Sequence, residues 1–92
     1  MPATPSAAAD ADALLRELST ALAQNLITAR TQIGMSQRTL ALQTGLARNY
    51  LIRIERGEAN PTLSVLVALA LVVGKRPCEL IMPGSGPVTE VT

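Results

Sequence analysis

One short stretch of the sequence concentrates side chains that could bind a nucleic acid. A helix over residues 47–56 would place five of them within one arc of about 140°: Arg48, Asn49, Ile52, Arg53 and Arg56. Arginine pairs with guanine, asparagine with adenine, and an apolar group contacts the methyl of thymine. The opposite side of this helix is apolar. The spacing therefore predicts a core face and a face suited to DNA bases, although an ordinary solvated helix face would carry the same charges.

Positive charge is concentrated in the middle of the chain. The whole sequence has eight basic and seven acidic residues, a net charge of +1. Residues 30–57 hold five arginines and one glutamate, which gives +4, whereas residues 1–29 carry −2 and residues 58–92 carry −1. Binding of a polyanion would therefore depend on a local surface and not on global charge.

The composition excludes most catalytic chemistry. The chain has no histidine and a single cysteine, Cys78, so most metal sites, the Ser/His and Cys/His catalytic arrangements and an intrachain disulfide are ruled out. Cys78 is interpreted as a small apolar residue of the last helix and not as a redox switch. We expect no enzymatic activity, no metal and no cofactor.

Neither end nor middle of the sequence indicates a membrane protein. The strongly apolar part of the longest uncharged run covers only residues 63–73, which is too short to span a bilayer. The N-terminus lacks a basic region ahead of an apolar stretch, so it is not typical of a secretory signal. We therefore expect a cytoplasmic protein without membrane contact.

The 92 residues suffice for one domain, and their pattern predicts an all-α one. The chain is 48% hydrophobic but has one aromatic residue, Tyr50, which suits helices better than sheets. Glycines at 34, 45, 57 and 74 each follow a helical pattern, where a left-handed residue ends a helix. We expect a disordered tail over residues 1–9, a domain over 10–82 and a flexible tail over 83–92.

Five helices are predicted within that domain. The first starts near Asp10 or Asp12 and runs for about five or six turns, or is broken into two near Ser19. Ser36 and Thr62 are N-cap candidates for the second and fourth helices. The second helix is predicted to end near residue 44 and the fourth to end at Gly74. The third helix is predicted over residues 47–56 and the fifth over residues 77–81.

The pattern resembles the XRE family of helix-turn-helix transcriptional regulators, the Cro and phage-repressor type. The resemblance covers about sixty residues with correct spacing throughout. The residues that carry it are Arg30, Gly34-Met35-Ser36-Gln37, Leu40-Ala41, Gly45-Leu46, Tyr50-Leu51, Ile54-Glu55-Arg56-Gly57-Glu58, Asn60-Pro61-Thr62-Leu63, Leu66, Ala70, Gly74 and Glu79-Leu80. The resemblance implies a five-helix lambda-repressor-like domain. Its second and third helices would form the helix-turn-helix unit that binds double-stranded DNA in the major groove.

The resemblance also assigns roles to residues. Arg48, Asn49 and Arg53 match base-reading positions, and Ile52 beside them could contact a thymine methyl. Contacts with the DNA backbone would come from Ser36, Gln37 and Arg38 at the start of the second helix and from Arg56. Gln37 could also contact a base. Arg30 and Glu55 match an ion pair that ties the first helix to the third.

Three positions depart from the family pattern. Thr39 stands where family members commonly have an acidic residue that completes a capping box. Ala47, at the start of the third helix, cannot cap it. The fourth helix is apolar nearly all round, because positions that are often polar in family members hold Val65, Ala68, Leu71 and Val72.

An apolar helix of this kind must be covered on both sides. We expect a homodimer whose interface includes Val65, Ala68, Leu71 and Val72, because so small a domain benefits from association. Alternatively, Leu14, Leu15 and Leu18 of the extended first helix could fold back over this helix within one chain. The sequence leaves open whether the first or the fourth helix forms a dimer interface.

The predicted function is a dimeric, sequence-specific regulator, most simply a repressor that occupies an inverted repeat. Two alternatives share the fold, namely an antitoxin that binds a protein toxin and a controller protein of a restriction-modification system. A third is a protein-binding adaptor that has kept the fold without DNA recognition. The sequence does not specify the operator or the regulated genes.

Overall fold

The computed structural model describes the backbone of residues 4–84 and the side-chain surroundings of residues 7–84. Within that range the chain forms five helices and no strand, which confirms the all-α prediction. The helices are α1 (Thr4–Gln32), α2 (Gln37–Thr44), α3 (Arg48–Glu55), α4 (Leu63–Val73) and α5 (Pro77–Ile81). Residues 85–92 of the predicted C-terminal tail lie outside the described residues.

Local side-chain chemistry sets the ends of α2 and α4. The Ser36 hydroxyl accepts a hydrogen bond from the Thr39 N–H at 3.0 Å, and the Thr62 hydroxyl accepts one from the Val65 N–H at 3.2 Å. Both helices end at a glycine in the left-handed conformation, Gly45 at φ 74° and Gly74 at φ 76°, which costs a residue without a Cβ little. The predicted caps and stops of both helices are therefore confirmed.

Helix α1 is longer than the sequence indicated. It begins at Thr4 and continues unbroken through Ser19 to Gln32, a length of about 43 Å at the usual helical rise. The expectation of a disordered tail over residues 1–9 and a helix start near Asp10 is therefore corrected for residues 4–9. Alanines at 7, 8 and 9 have the highest helix propensity of any residue, which favours continuation of the helix toward the N-terminus.

The C-terminal half of α1 runs through the core, whereas the N-terminal half projects from it. Leu22, Leu26 and Ala29 are buried. They pack with side chains from the other four helices, among them Leu40, Leu51, Ile54, Leu69, Ala70 and Leu80. Leu14 and Leu18, on the N-terminal half, are 57% and 40% exposed. Because these leucines are themselves exposed, α1 does not fold back over α4 in the way that the sequence allowed.

The turn after α3 contacts α1 where the two halves of α1 meet. Gly57 has φ 74°, and a Cβ there would lie 3.7 Å from the Ser19 carbonyl oxygen and 3.8 Å from Thr20 Cα. A Cβ would therefore only make ordinary van der Waals contact with α1, and it is the positive φ that favours glycine at this position.

A buried amide joins α1 to the C-terminal end of the fold. Asn25 Nδ2 donates to the carbonyl oxygens of Glu79 at 3.2 Å, Leu80 at 3.0 Å and Met82 at 3.0 Å. The last carbonyls of a helix have no partner within it, so Asn25 supplies hydrogen atoms that α5 cannot supply itself. Nothing in the sequence pattern singled out Asn25.

None of the helices in the described part of the chain combines the length and the apolarity that a membrane crossing requires.

Candidate nucleic-acid interface

The site is organised around the carboxylate of Glu55 in the last turn of α3. Its Oε2 accepts a hydrogen bond from Arg30 Nε at 2.7 Å, and its Oε1 accepts one from Arg30 Nη2 at 2.9 Å. The pair is largely buried, with 13% of the Arg30 side chain and 4% of the Glu55 side chain exposed. A two-bond contact of this kind fixes the angle between the two side chains as well as their distance.

Two further bonds extend this pair to the turn between α1 and α2. Arg30 Nη1 donates to the Met35 carbonyl oxygen at 2.9 Å, and Gln37 Nε2 donates to Glu55 Oε1 at 2.9 Å. Residues from the end of α1, the following turn, the first turn of α2 and the end of α3 therefore meet at one carboxylate. The network holds α2 and α3 in a fixed relation to each other.

The exposed side of α3 carries the residue types that the spacing indicated. Leu51, Ile54 and Glu55 are buried. The predicted base-reading residues lie on the other side, with Arg48, Asn49 and Arg53 exposed and Ile52 half-buried. The structure thus places these four side chains on one helix, with its apolar side fixed in the core.

The predicted backbone-binding residues lie at the start of α2 and at the end of α3. Ser36 and Arg38 are exposed at the first turn of α2, and Arg56, which directly follows α3, is exposed as well. Arg53 Nη2 lies 3.4 Å from the Glu58 carbonyl oxygen, a long contact. Within the described residues, the guanidinium groups of Arg38, Arg48 and Arg56 form no ion pair, so their charge is available to a ligand.

Gln37 differs in its surroundings from the residues beside it. The resemblance implied that Gln37 contacts the DNA backbone and could contact a base, whereas its amide nitrogen donates to Glu55 within the protein. Nothing in the sequence pattern indicated this bond. The available signal was the position of Gln37, which begins a helix that packs beside the Arg30–Glu55 pair.

Two of the three departures from the family pattern affect helix ends of the site. At α2, the Thr39 hydroxyl accepts a hydrogen bond from the Ser36 hydroxyl at 3.0 Å, so this threonine forms a side-chain bond in place of the expected carboxylate bond. At α3, Ala47 has the extended backbone of an N-cap but makes no capping bond through its side chain. The first N–H groups of α3 therefore face solvent or a ligand.

The predicted dimer residues differ in exposure. Leu71 is 76% exposed, whereas Val65, Ala68 and Val72 are half-buried. Val65 and Val72 pack partly against the core. Two further apolar side chains, Leu63 at 78% and Val67 at 44%, also lie exposed on α4.

Comparisons with known proteins agree with this architecture. A family model described as helix-turn-helix matches residues 26–80, a range that contains the Glu55 network, α2 to α4 and all of α5 but its last residue. The chain belongs to this helix-turn-helix family, of the XRE type that its sequence resembles.

Particular relatives include an uncharacterized HTH-type transcriptional regulator of Haemophilus influenzae. It is 41% identical over 58 residues, which are 63% of this chain and 59% of that protein, so the match spans less than two thirds of the relative. The control protein C.SmaI of Serratia marcescens is 41% identical over 61 residues, 66% of this chain and 73% of that protein.

A solved structure extends the similarity to a whole domain. The crystal structure of the restriction-modification controller protein C.AhdI from Aeromonas hydrophila superposes with a TM-score of 0.64 at 39% sequence identity. The match covers 67% of this chain and 94% of that one. The fold and the family are therefore shared with proteins whose sequences differ at most positions.

The buried ion pair gives the first prediction. Replacement of Arg30 by alanine leaves the Glu55 carboxylate buried without its main partner, and the free energy of unfolding should fall by about 3 kcal/mol. The measurement is a urea denaturation midpoint by circular dichroism. Arg16→Ala, which removes an exposed arginine from the same helix, is the matched control and should leave the midpoint nearly unchanged. Equal midpoints for Arg30→Ala and the unmodified protein would contradict a structural role for the pair.

Proposed function

We propose that this chain is a sequence-specific regulator that binds double-stranded DNA by placing α3 in the major groove. The observation that carries the proposal is the exposed face of α3, where Arg48, Asn49 and Arg53 stand clear of the core. These side chains carry the donors and acceptors that match guanine and adenine edges. The same helix is fixed through its buried side by Leu51, Ile54 and Glu55, so the reading face is presented rigidly.

Contacts with the DNA backbone would come from residues on both sides of the exposed face of α3. Ser36 and Arg38 lie at the start of α2, and Arg56 lies beyond the end of α3. Arginines at these places can neutralise phosphates whatever the base sequence, and they set the register of the reading helix on the duplex. Because Ala47 leaves the first N–H groups of α3 uncapped, that helix end is a further donor site for phosphate.

The proposed regulator is a homodimer that binds its DNA site in the cytoplasm. Support comes from α4, whose outer side exposes Leu63, Val67 and Leu71 to solvent. A second copy of the chain would cover these side chains and gain the free energy of apolar burial. Two-fold symmetry would then place two copies of α3 on an inverted repeat, with half-sites about one helical turn apart.

Repression follows most simply from this arrangement, because a dimer that occupies a promoter blocks it without any added domain. A second candidate function is a controller protein of a restriction-modification system, which can activate as well as repress. It is favoured by the similarity to the control protein C.SmaI and to the controller protein C.AhdI. A promoter-reporter assay separates the two, since a pure repressor lowers expression at every protein concentration, whereas a controller raises it over part of the range.

The assignment of base and backbone contacts is tested by two arginine variants. Arg48→Ala should weaken binding to the preferred duplex by about 1 to 3 kcal/mol and relax the preference at one base pair. Arg38→Ala, the matched control, should weaken binding to preferred and random duplexes alike and reduce the salt dependence. Fluorescence anisotropy titrations on both duplexes measure these effects. Equal losses on the two duplexes for Arg48→Ala would contradict its base-reading role.

The dimer interface is tested by charge placed on either candidate helix. Leu71→Glu puts a carboxylate on the exposed side of α4 and should produce monomers that bind the inverted repeat weakly, because a charge in an apolar interface loses its hydration. Leu14→Glu, on the projecting half of α1, should leave the dimer intact. Molar mass from light scattering distinguishes these outcomes. A monomeric unmodified protein, or dissociation by Leu14→Glu alone, would overturn the α4 interface.

A further inference from the structure

The projecting half of α1 carries apolar side chains that no part of the described chain covers. Along one side of the helix they stand at intervals of four, three and four residues, namely Ala7, Ala11, Leu14 and Leu18. Leu14 and Leu18 are 57% and 40% exposed, and Leu15 next to them is 41% exposed. We call these five residues the α1 stripe. Exposed leucines grouped in this way on a small protein mark an interaction surface.

The α1 stripe lies outside the domain that the chain shares with its family. The helix-turn-helix family model matches residues 26–80, whereas the stripe ends at Leu18. Full burial on α1 begins only with Ala21 and Leu22, and none of the stripe leucines belongs to the hydrophobic core. The stripe is therefore an addition to the shared domain, with exposed apolar surface that the core does not use.

The spacing of the α1 stripe is suited to a second helix. Intervals of four and three residues are those of a heptad repeat, whose apolar positions pack into the side of another helix. Leu14 and Leu18 provide large side chains for such a contact. Ala7 and Ala11 leave room for larger side chains from the other helix. A complementary surface is therefore an amphipathic helix laid along α1.

Charge beside the α1 stripe favours a basic partner. Asp10 and Glu17 directly precede Ala11 and Leu18, so they lie along one edge of the stripe. Both are exposed, and neither forms an ion pair within the described residues. Residues that flank the apolar positions of a heptad repeat select the partner through ion pairs between the helices. The same carboxylates would repel DNA, so the stripe does not extend the proposed DNA surface.

A second copy of the chain fits the α1 stripe poorly. In an antiparallel pair of α1 helices, Asp10 and Glu17 of one copy would lie beside the same carboxylates of the other copy, and like charges repel. In a parallel pair, the second domain would have to enter the space where the core of the first packs against Leu22 and Leu26. The stripe is therefore complementary to a different protein and not to itself.

We infer that the α1 stripe is a docking site for a second protein, which binds through an amphipathic helix with lysine or arginine beside its apolar side. This site goes beyond the proposed DNA-binding function and does not depend on it. The stripe shares no residue with the reading face of α3 or with the outer side of α4. A partner on α1 can therefore be bound while the regulator is dimeric and on DNA.

The test uses two synthetic helical peptides of three heptads each. Both carry leucine at the apolar positions, and the flanking positions hold lysine in one peptide and glutamate in the other. Titration of the ¹⁵N-labelled full chain at low salt is followed by NMR. The lysine peptide should shift the amide resonances of residues 7–18 to saturation, and the glutamate peptide should bind at least about tenfold more weakly.

Three variants locate the site. Leu14→Glu should abolish binding of the lysine peptide and leave DNA selection unchanged, because the substitution puts a charge into the apolar contact. Leu71→Glu, the matched control on α4, should retain peptide binding. The double variant Asp10→Lys/Glu17→Lys should prefer the glutamate peptide. Thermal unfolding checks that each variant is folded, and the resonance shifts of the unmodified chain locate the site without any variant.

Four results would overturn the docking site. They are no saturation by the lysine peptide below about 1 mM, equal affinity for the two peptides, shifts confined to α4, and loss of binding in Leu71→Glu but not in Leu14→Glu. Concentration-dependent shifts of residues 7–18 without any peptide would also contradict it, since they would show that a second copy covers the stripe. Each of these results leaves the proposed DNA binding untouched, because DNA selection is measured separately.

Discussion

The arrangement of this protein depends on a single buried carboxylate. Glu55 is 4% exposed at its side chain, and a charge so far from water is stable only with close partners. Arg30 supplies two hydrogen bonds and Gln37 a third. These donors come from α1 and α2 and their acceptor from α3, so the ion pair sets how the three helices cross. Apolar packing brings the helices together, but it has little directional preference. The hydrogen bonds from Arg30 and Gln37 to Glu55 therefore fix the relative orientation of the three helices.

Rigid placement is what would let the outer side of α3 act as the proposed reading surface. Eight residues form this helix, and an isolated helix of that length is unstable in water. Leu51 and Ile54 fix it in the core, and Glu55 fixes its rotation. The exposed side chains can then differ between family members without a change of fold, because the proposed specificity would reside in groups that the core does not use. The projecting half of α1 and the outer side of α4 likewise lie outside this core.

Local chemistry accounts for what the sequence predicted well. Ser36, Gly45, Thr62 and Gly74 act within a few residues of the chain, and all four lie where they were expected to start or end a helix. The start of α1 was misjudged, because two prolines and the lack of large apolar residues outweighed the helix propensity of three alanines. Asn25 and the Gln37–Glu55 bond escaped prediction for another reason. Their partners lie 54 to 57 and 18 residues away in the chain, and no periodicity connects such distant polar groups. The candidate site shows the same contrast between local and long-range features. The residue types on the exposed side of α3 were predicted from their spacing, whereas the pairing of Arg30 with Glu55 was predicted only from the family resemblance.

The central claim is that α3, fixed by Glu55, reads a base sequence as part of a dimer. Selection of bound duplexes from a randomised pool, at about 150 mM salt with competitor DNA, tests it most directly, because non-specific phosphate contacts are weakened under these conditions. The account predicts enrichment of an inverted repeat whose half-sites lie about one helical turn apart. A folded protein that enriches no sequence would contradict it.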